Sequence, residues 1–196
     1  MSETEEQAAP AEEAEGEETA AAREERRRHH ATAMRLVRQF PDPALRTPAR
    51  TVEDVDDEVR ALAARMAEIM EQSHGVGLAA PQIGVLRRLL VYRLSADESA
   101  RTVVNPTISD LSEETDVDSE GCLSLLGGEL QVPIERSLRL VLTGVDGEGK
   151  PVRVEAEGLE ARVLQHEIDH LNGVLILDRA AKEDRRALMR ELRLRA

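Results

Sequence analysis

The stretch that most constrains the fold lies late in the chain, where "GLEARVLQHEIDHLNG" covers residues 158–173. At about 100° per residue, Leu159, Val163, His166 and His170 fall on one face of a helix. Ala161, Leu164, Ile168 and Leu171 fall on nearly the opposite face, and the polar sector of Arg162, Gln165 and Asp169 is narrow. A helix apolar on two sides has to be covered on both. The spacing therefore predicts a central, largely buried helix from about Gly158 to Asn172, closed by Gly173. The rest of the chain must be arranged around it.

The material for that covering is almost wholly aliphatic. Phe40 and Tyr92 are the only aromatic residues and there is no Trp, so Leu, Val, Ile, Met and Ala must build the core. The same lack argues against base-stacking platforms. The net charge is −13, of which residues 1–30 carry ten Glu against four Arg. An acidic body disfavours DNA and broad nucleic-acid binding. A single cysteine excludes an intrachain disulfide and suits a reducing compartment. No run of 18 apolar residues is present and the N-terminus is acid-rich, so no membrane span or export signal is expected and the cytoplasm is the expected location.

Residues 1–32 are Glu/Ala-rich without large apolar side chains and are expected to form a disordered acidic tail; residues 33–196 are expected to form one domain. His29 and His30, at the tail's basic end, read as part of a solvated charge run. "RLVRQFPDPALRTPA" (35–49) reads as extended. Val55, Val59, Leu62, Met66, Ile69 and Met70 then repeat at helical spacing, with Thr51 or Asp54 as cap and Gly75 as stop. Strands are expected at 87–94, 101–105 and 129–134, with a hairpin at 138–158 around an Asp146–Gly149 turn. A last strand is expected at 174–178 and an amphipathic helix at the C-terminus. Strands in runs and helices apart indicate α+β, with small, mostly antiparallel sheets around the histidine-bearing helix.

Two buried imidazoles on one face need partners. A metal ion is one solution, and satisfied core histidines are the other. Glu167 sits about 100° round from His166, close enough to serve a metal-activated water without being a ligand. Two histidines leave a catalytic site one protein ligand short. Cys122 in "SEGCLS" offers a thiolate, with Gly121 beside it for close approach, although a lone cysteine also serves as a small buried hydrophobe. "GVGLAAPQIG" (75–84) has no phosphate-loop lysine, and its small residues suit close approach by an extended substrate. Gln82 follows Pro81 and is either an oxyanion donor or a surface loop residue.

"EGCLS", "QHEIDH" and "GVGLAAPQIG" together resemble the three signature segments of the peptide deformylase family, over about residues 35 to 196. The resemblance implies one divalent metal bound by Cys122, His166 and His170, with Fe²⁺ the usual ion and Zn²⁺, Ni²⁺ or Co²⁺ able to replace it. It implies Glu167 as general base and acid, with Gln82 and the backbone N–H of Leu123 as donors to the formyl oxygen. Gly77 would line the substrate cleft, and Val76, Leu125, Val163 and His166 would wall a pocket for the methionine side chain. The partner implied is a nascent formylated polypeptide, with the ribosome nearby; a monomer is expected.

Three positions depart from the family's habit. Leu126 stands where a Pro is usual, Glu129 near where an Arg is expected, and Ile134 where a basic residue follows "VP". They leave ligands and base intact and bear on peptide affinity. The other readings are a metal-dependent deformylase or deacylase of a small formamide, or a non-catalytic binding domain.

Overall fold

The computed structural model describes residues 19–195; the expected tail's first 18 residues lie outside that range. In chain order its elements are α1 (Ala20–Met34), α2 (Asp57–Gln72), β1 (Gly77–Ala79), β2 (Leu89–Tyr92), β3 (Arg101–Ser109), β4 (Thr115–Gly121) and β5 (Gln131–Ser137). They continue with β6 (Arg139–Val145), β7 (Pro151–Glu157), α3 (Gly158–Leu171), α4 (Ile176–Arg179) and α5 (Lys182–Arg195). Five strands form an antiparallel sheet in the order β1-β2-β3-β6-β7, and β4 pairs with β5 in a separate antiparallel hairpin. The mostly antiparallel α+β architecture follows the expectation, and a single isolated parallel bridge joins Arg50 to Arg87.

The five-stranded sheet is covered on both faces at β1 and β2, whereas β7 leaves alternate residues exposed. Leu89 and Val91 pack with Val59, Met66, Ile69 and Met70 of α2, whereas Leu90 and Tyr92 pack with Ala161, Leu164, Ile168 and Leu171 of α3. Alternate residues of a strand point to opposite faces, so a strand covered on both sides must be apolar throughout. That explains the unbroken "LLVY" of β2, all four residues of which are buried. The other side of α3 meets the β4–β5 hairpin, whose Val132 and Ile134 pack with Leu177 of α4 and Leu188 and Leu192 of α5. The central helix thus lies between two sheets, as its two apolar faces require.

Several boundaries differ from the sequence reading. Ala20–Met34 form a helix where a tail was expected. Ala, Arg and Glu favour helix without any core; Thr19 caps the start, and Glu24 accepts from Arg28 one turn on. The α2 cap is Asp56, which accepts from Val59 N at 2.9 Å, because Val52 is drawn into an extended pairing with the Asn105 amide. His74, at φ +58, takes the left-handed turn after α2, ahead of Gly75. Residues 176–179 form a helical turn and not a strand, since Asp178 accepts from Leu175 N at 2.8 Å. Within the stretch expected to be extended, Pro43–Arg46 make a 3-10 turn, capped by Asp42. β4 escaped the sequence reading altogether: "TDVDSEG" is exposed over most of its length and carries one aliphatic residue.

Leu164 is fully buried between α3 and the large sheet. Leu164→Ala is expected to lower unfolding stability by about 2–5 kcal/mol, the range for large-to-small core changes. A fall in the urea midpoint at unchanged slope checks it.

Candidate metal centre and substrate cleft

The site forms where the hairpin meets α3. β4 ends at Gly121, and Cys122 follows at once with its side chain against the helix. Sγ of Cys122 lies 3.2 Å from Nε2 of His170. One ligand atom each from Cys122, His166 and His170 lie within 4.8 Å of one another, the one such group among the described residues. Helical geometry brings the histidines together, one turn apart on one face.

Each imidazole has a distinct setting. Nδ1 of His166 pairs with Oε2 of Glu120 at 2.9 Å, which leaves Nε2 to the cluster. Burial opposes a charge on His166, but Cys122 and Glu120 favour it and raise its pKa well above the ordinary value. Burial pushes His170 well below its ordinary value, with its neighbour His166 adding to the effect. A neutral imidazole keeps a lone pair for a cation. A divalent ion at the cluster would bind the same nitrogen atoms that a proton would.

Glu120 is itself held on several sides. Arg136 grips both its oxygens at 2.9 and 3.0 Å, and Arg162 Nη1 donates to it at 2.8 Å. Arg136 also donates to Asp169 at 2.6 Å, and Arg179 closes the chain from α4. Burial pushes the Glu120 carboxyl up, yet the hydrogen bonds from His166 and Arg136 outweigh it and bring its pKa down to about 2. The carboxylate is ionised and orients the imidazole. Supporting partners of this kind fix a ligand's tautomer and direction. The sequence reading had missed Glu120, Arg136, Arg162 and Asp169 as site residues. Two signals pointed to them: Glu120 stands two residues before Cys122, and Arg136 continues the alternating buried stripe of Val132 and Ile134.

Glu167 is buried, and its Oε2 has no hydrogen-bond partner. Burial pushes its carboxyl up to about 7, against the opposing pull of His166. Its space is taken from Gly77: a Cβ on that glycine would stand 2.4 Å from Oε1 of Glu167. Gln82 is also buried; its Oε1 accepts from Ala79 N at 2.7 Å, turning Nε2 towards Cys122 Sγ at 3.9 Å and Ser124 Oγ at 3.5 Å. Leu125 N donates to the carbonyl of Cys122 at 2.8 Å. That carbonyl shares a trans peptide with the N–H of Leu123, so the turn also fixes where this N–H points.

These groups open on a cleft of about 420 Å³. Val76, Gly77, Leu123, Val163 and, unexpectedly, His30 are among its lining residues. Leu125 is not: it is fully buried with Leu45, Val132 and Leu175, because the tight turn after Cys122 directs it inward. Leu126 and Glu129 stand beside the cleft residues Gly127 and Gly128 without lining it, and Ile134 is buried in the core. The three departures therefore lie outside the cleft wall.

The donor set fits a metal ion. A thiol and two imidazoles converge in a buried place beside an unpartnered carboxylate oxygen, which is a three-ligand arrangement suited to a catalytic divalent cation. The comparisons with known proteins agree. A family model described as polypeptide deformylase matches residues 34–186. The chain belongs to the polypeptide deformylase family. It is 48% identical to the peptide deformylase of Acidothermus cellulolyticus over 161 residues, covering 82% of this chain and 87% of that one. The crystal structure of the Thermus thermophilus enzyme superposes with a TM-score of 0.75 at 41% identity, over 81% of this chain and 93% of that one. The Thermotoga maritima enzyme gives 0.69 at 44% identity, over 74% and 96%. Members of this family are metal-dependent hydrolases that remove the formyl group from nascent chains.

Two outcomes follow. Glu120→Gln is expected to weaken metal affinity about 10- to 100-fold, the range for loss of a partner behind a metal-bound histidine; competition with a chromogenic chelator reads it. Gly77→Ala is expected to displace the Glu167 carboxylate and lower kcat at least tenfold with the metal retained, checked by pairing kinetics with metal analysis.

Proposed function

We propose that the protein removes the N-formyl group from the N-terminal formylmethionine of newly made polypeptides, and that the residues gathered in the cleft carry out the reaction. The observation that carries this reading is the convergence of Cys122, His166 and His170, with Cys122, His166 and the buried Glu167 lining one cleft. A divalent ion held by Cys122 Sγ and the Nε2 atoms of His166 and His170 would supply a Lewis acid that acidifies water and polarises the formyl carbonyl.

The chain's own groups do the rest. Glu167 takes a proton from the attacking water on its carboxylate and passes it to the methionine nitrogen as the C–N bond breaks, leaving formate and a free amine. Burial raises the affinity of this carboxyl for a proton, an effect that the charge of a bound cation would oppose. Gln82 Nε2 and the Leu123 N–H donate to the formyl oxygen as charge builds on it; one such donor is worth about 3–4 kcal/mol in comparable acyl-transfer sites. Val76 and Val163, with the small Gly77, receive the methionine end of an extended peptide.

A thiolate with two imidazoles suits late first-row ions, and the family likeness favours Fe²⁺, with Zn²⁺, Ni²⁺ and Co²⁺ as substitutes. The protein acts in the cytoplasm as a monomer, on chains leaving the ribosome. No described helix is long and apolar enough to cross a membrane, in keeping with that setting. The runner-up, a small formamide as substrate, gains nothing from the geometry: the cleft has room for more than a formamide and continues past the formyl site to His30 and His74.

The test is Glu167→Gln in anaerobically prepared protein. The expected result is a full complement of metal with kcat on formyl-Met-Ala reduced by roughly 10²- to 10⁴-fold, the usual worth of a general acid–base. Undiminished turnover would remove Glu167 from the reaction. Wild-type protein that carries the metal but leaves formyl-Met peptides intact would end the deformylase reading.

A further inference from the structure

Beside the candidate metal centre, Gly121, Gly128 and Gln131 form a stretch of cleft wall along the hairpin. Gly121 and Gln131 stand opposite each other in the β4–β5 register. Opposed residues of an antiparallel pair project to the same face, with Cβ positions about 5 Å apart. Gly121 has no side chain, and the Gln131 amide lies in the space left beside it. A Cβ on Gly121 would collide with Gln131 Nε2 and would stand 2.9 Å from the carbonyl oxygen of Gly128.

That carbonyl holds the amide in place: Nε2 of Gln131 donates to Gly128 O at 3.0 Å. The carbonyl is aimed by the turn before it, where Leu126, Gly127 and Gly128 lie at φ +50, +69 and +84. A proline ring fixes φ near −65°, so this turn requires the departure from proline at Leu126. Met34, at the end of α1, backs the turn; its Cε lies 3.4 Å from where a Cβ would stand on Gly127. A side-chain amide carries two N–H donors and an oxygen with two lone pairs. One donor of Gln131 is bonded among the described residues. Its second N–H and Oε1 are left, on an exposed residue that lines the cleft.

We infer that Gln131 binds the substrate backbone: Oε1 accepts from the N–H of the peptide's second residue, and the free Nε2 proton goes to that residue's carbonyl. In an extended chain the N–H and carbonyl of one residue point to the same side, which is how one strand bonds another. The inference rests on the deformylase reading and deepens it by naming the group that holds the second residue. Gly121 lies two Cα steps of about 3.8 Å before Leu123, the donor to the formyl oxygen in that reading. An extended peptide covers the span in about two residues, so formylmethionine occupies the first and the next residue lies beside Gln131. A glutamine already tied to Gly128 has given up part of its rotamer freedom before the peptide arrives, which lowers the cost of binding. A contact to backbone alone carries no side-chain preference, so it serves nascent chains of any sequence.

The test uses the full-length, metal-loaded protein, wild type and Gln131→Leu, with two peptides. One is formyl-Met-Ala-amide; the other is the same peptide methylated at the alanine nitrogen, which removes the N–H. Leucine keeps the bulk at 131 and removes the polar groups. Gln131→Leu is expected to raise KM for the first peptide about fivefold at unchanged kcat, the worth of one hydrogen bond between neutral groups. For the methylated peptide the same substitution is expected to change KM by less than about twofold. An unchanged KM for the first peptide marks Gln131 as a solvated surface residue and overturns the proposal. An equal loss on both peptides marks a structural effect and overturns it as well. The same comparison is read as Kd by calorimetry in a Glu167→Gln background, which needs no turnover. If the wild type hydrolyses neither peptide while Kd follows the expected pattern, the deformylase reading fails and the Gln131 contact stands. If Kd for the first peptide is unmoved by Gln131→Leu, or no peptide binds, the contact fails.

Discussion

The carboxylate of Glu120 joins the small hairpin to the central helix and to the imidazole that faces Cys122. It sits on β4, takes a two-toothed grip from Arg136 of β5, and bonds Arg162 and His166 of α3. Buried charges are costly unless they are paired, and here Glu120 meets Arg136, Arg162 and His166, and Asp169 meets Arg136 and Arg179. What the network adds over an apolar contact is direction. Apolar packing between a hairpin and a helix tolerates sliding, whereas a planar guanidinium on a carboxylate fixes both distance and angle. Cys122 follows two residues after Glu120, so the register that seats the carboxylate also seats the sulfur.

The opposite side of α3 supplies the rigid backing. Ala161, Leu164, Ile168 and Leu171 are locked into the large sheet, and the helix cannot rotate without opening that core. His166, Glu167 and His170 are carried on this fixed axis, so their mutual geometry is a property of the helix and needs no loop to hold it. The same burial shapes the chemistry. It keeps His170 neutral and raises Glu167 to about 7, because a low-dielectric surrounding disfavours a charge on either. Gly77 completes the arrangement from β1, leaving the side-chain space that the carboxylate occupies.

Much of this was legible in the sequence because the decisive spacings are local. His166 and His170, four apart on a helix apolar on two sides, specify a shared face and a buried setting before any tertiary contact is known. "LLVY" and the Asp146–Gly149 turn were equally local. What escaped was set by pairing across the chain. β4 is polar and exposed over most of its length, so only its partner β5 makes it a strand. Glu120, Arg136 and Asp169 read singly as ordinary surface charges, and they become a buried network only when hairpin and helix meet. Leu125 was misplaced for a related reason: a turn hydrogen bond at Cys122, invisible to periodicity, decides which way it points.

The N-terminal helix shows the limit of judging order from burial alone. A segment without large apolar residues was expected to stay unfolded, since nothing in it offsets the loss of chain entropy by burial. Ala, Arg and Glu carry a high intrinsic tendency to helix, however, and a single anchor at one end is enough to propagate it. That anchor is the burial of Ala33 and Val37 with the core residues of α2. A helix held at one end and polar elsewhere contributes little to the stability of the domain, so the chemistry along its exposed side is free to vary. Here that side carries arginines and leads into the cleft at His30.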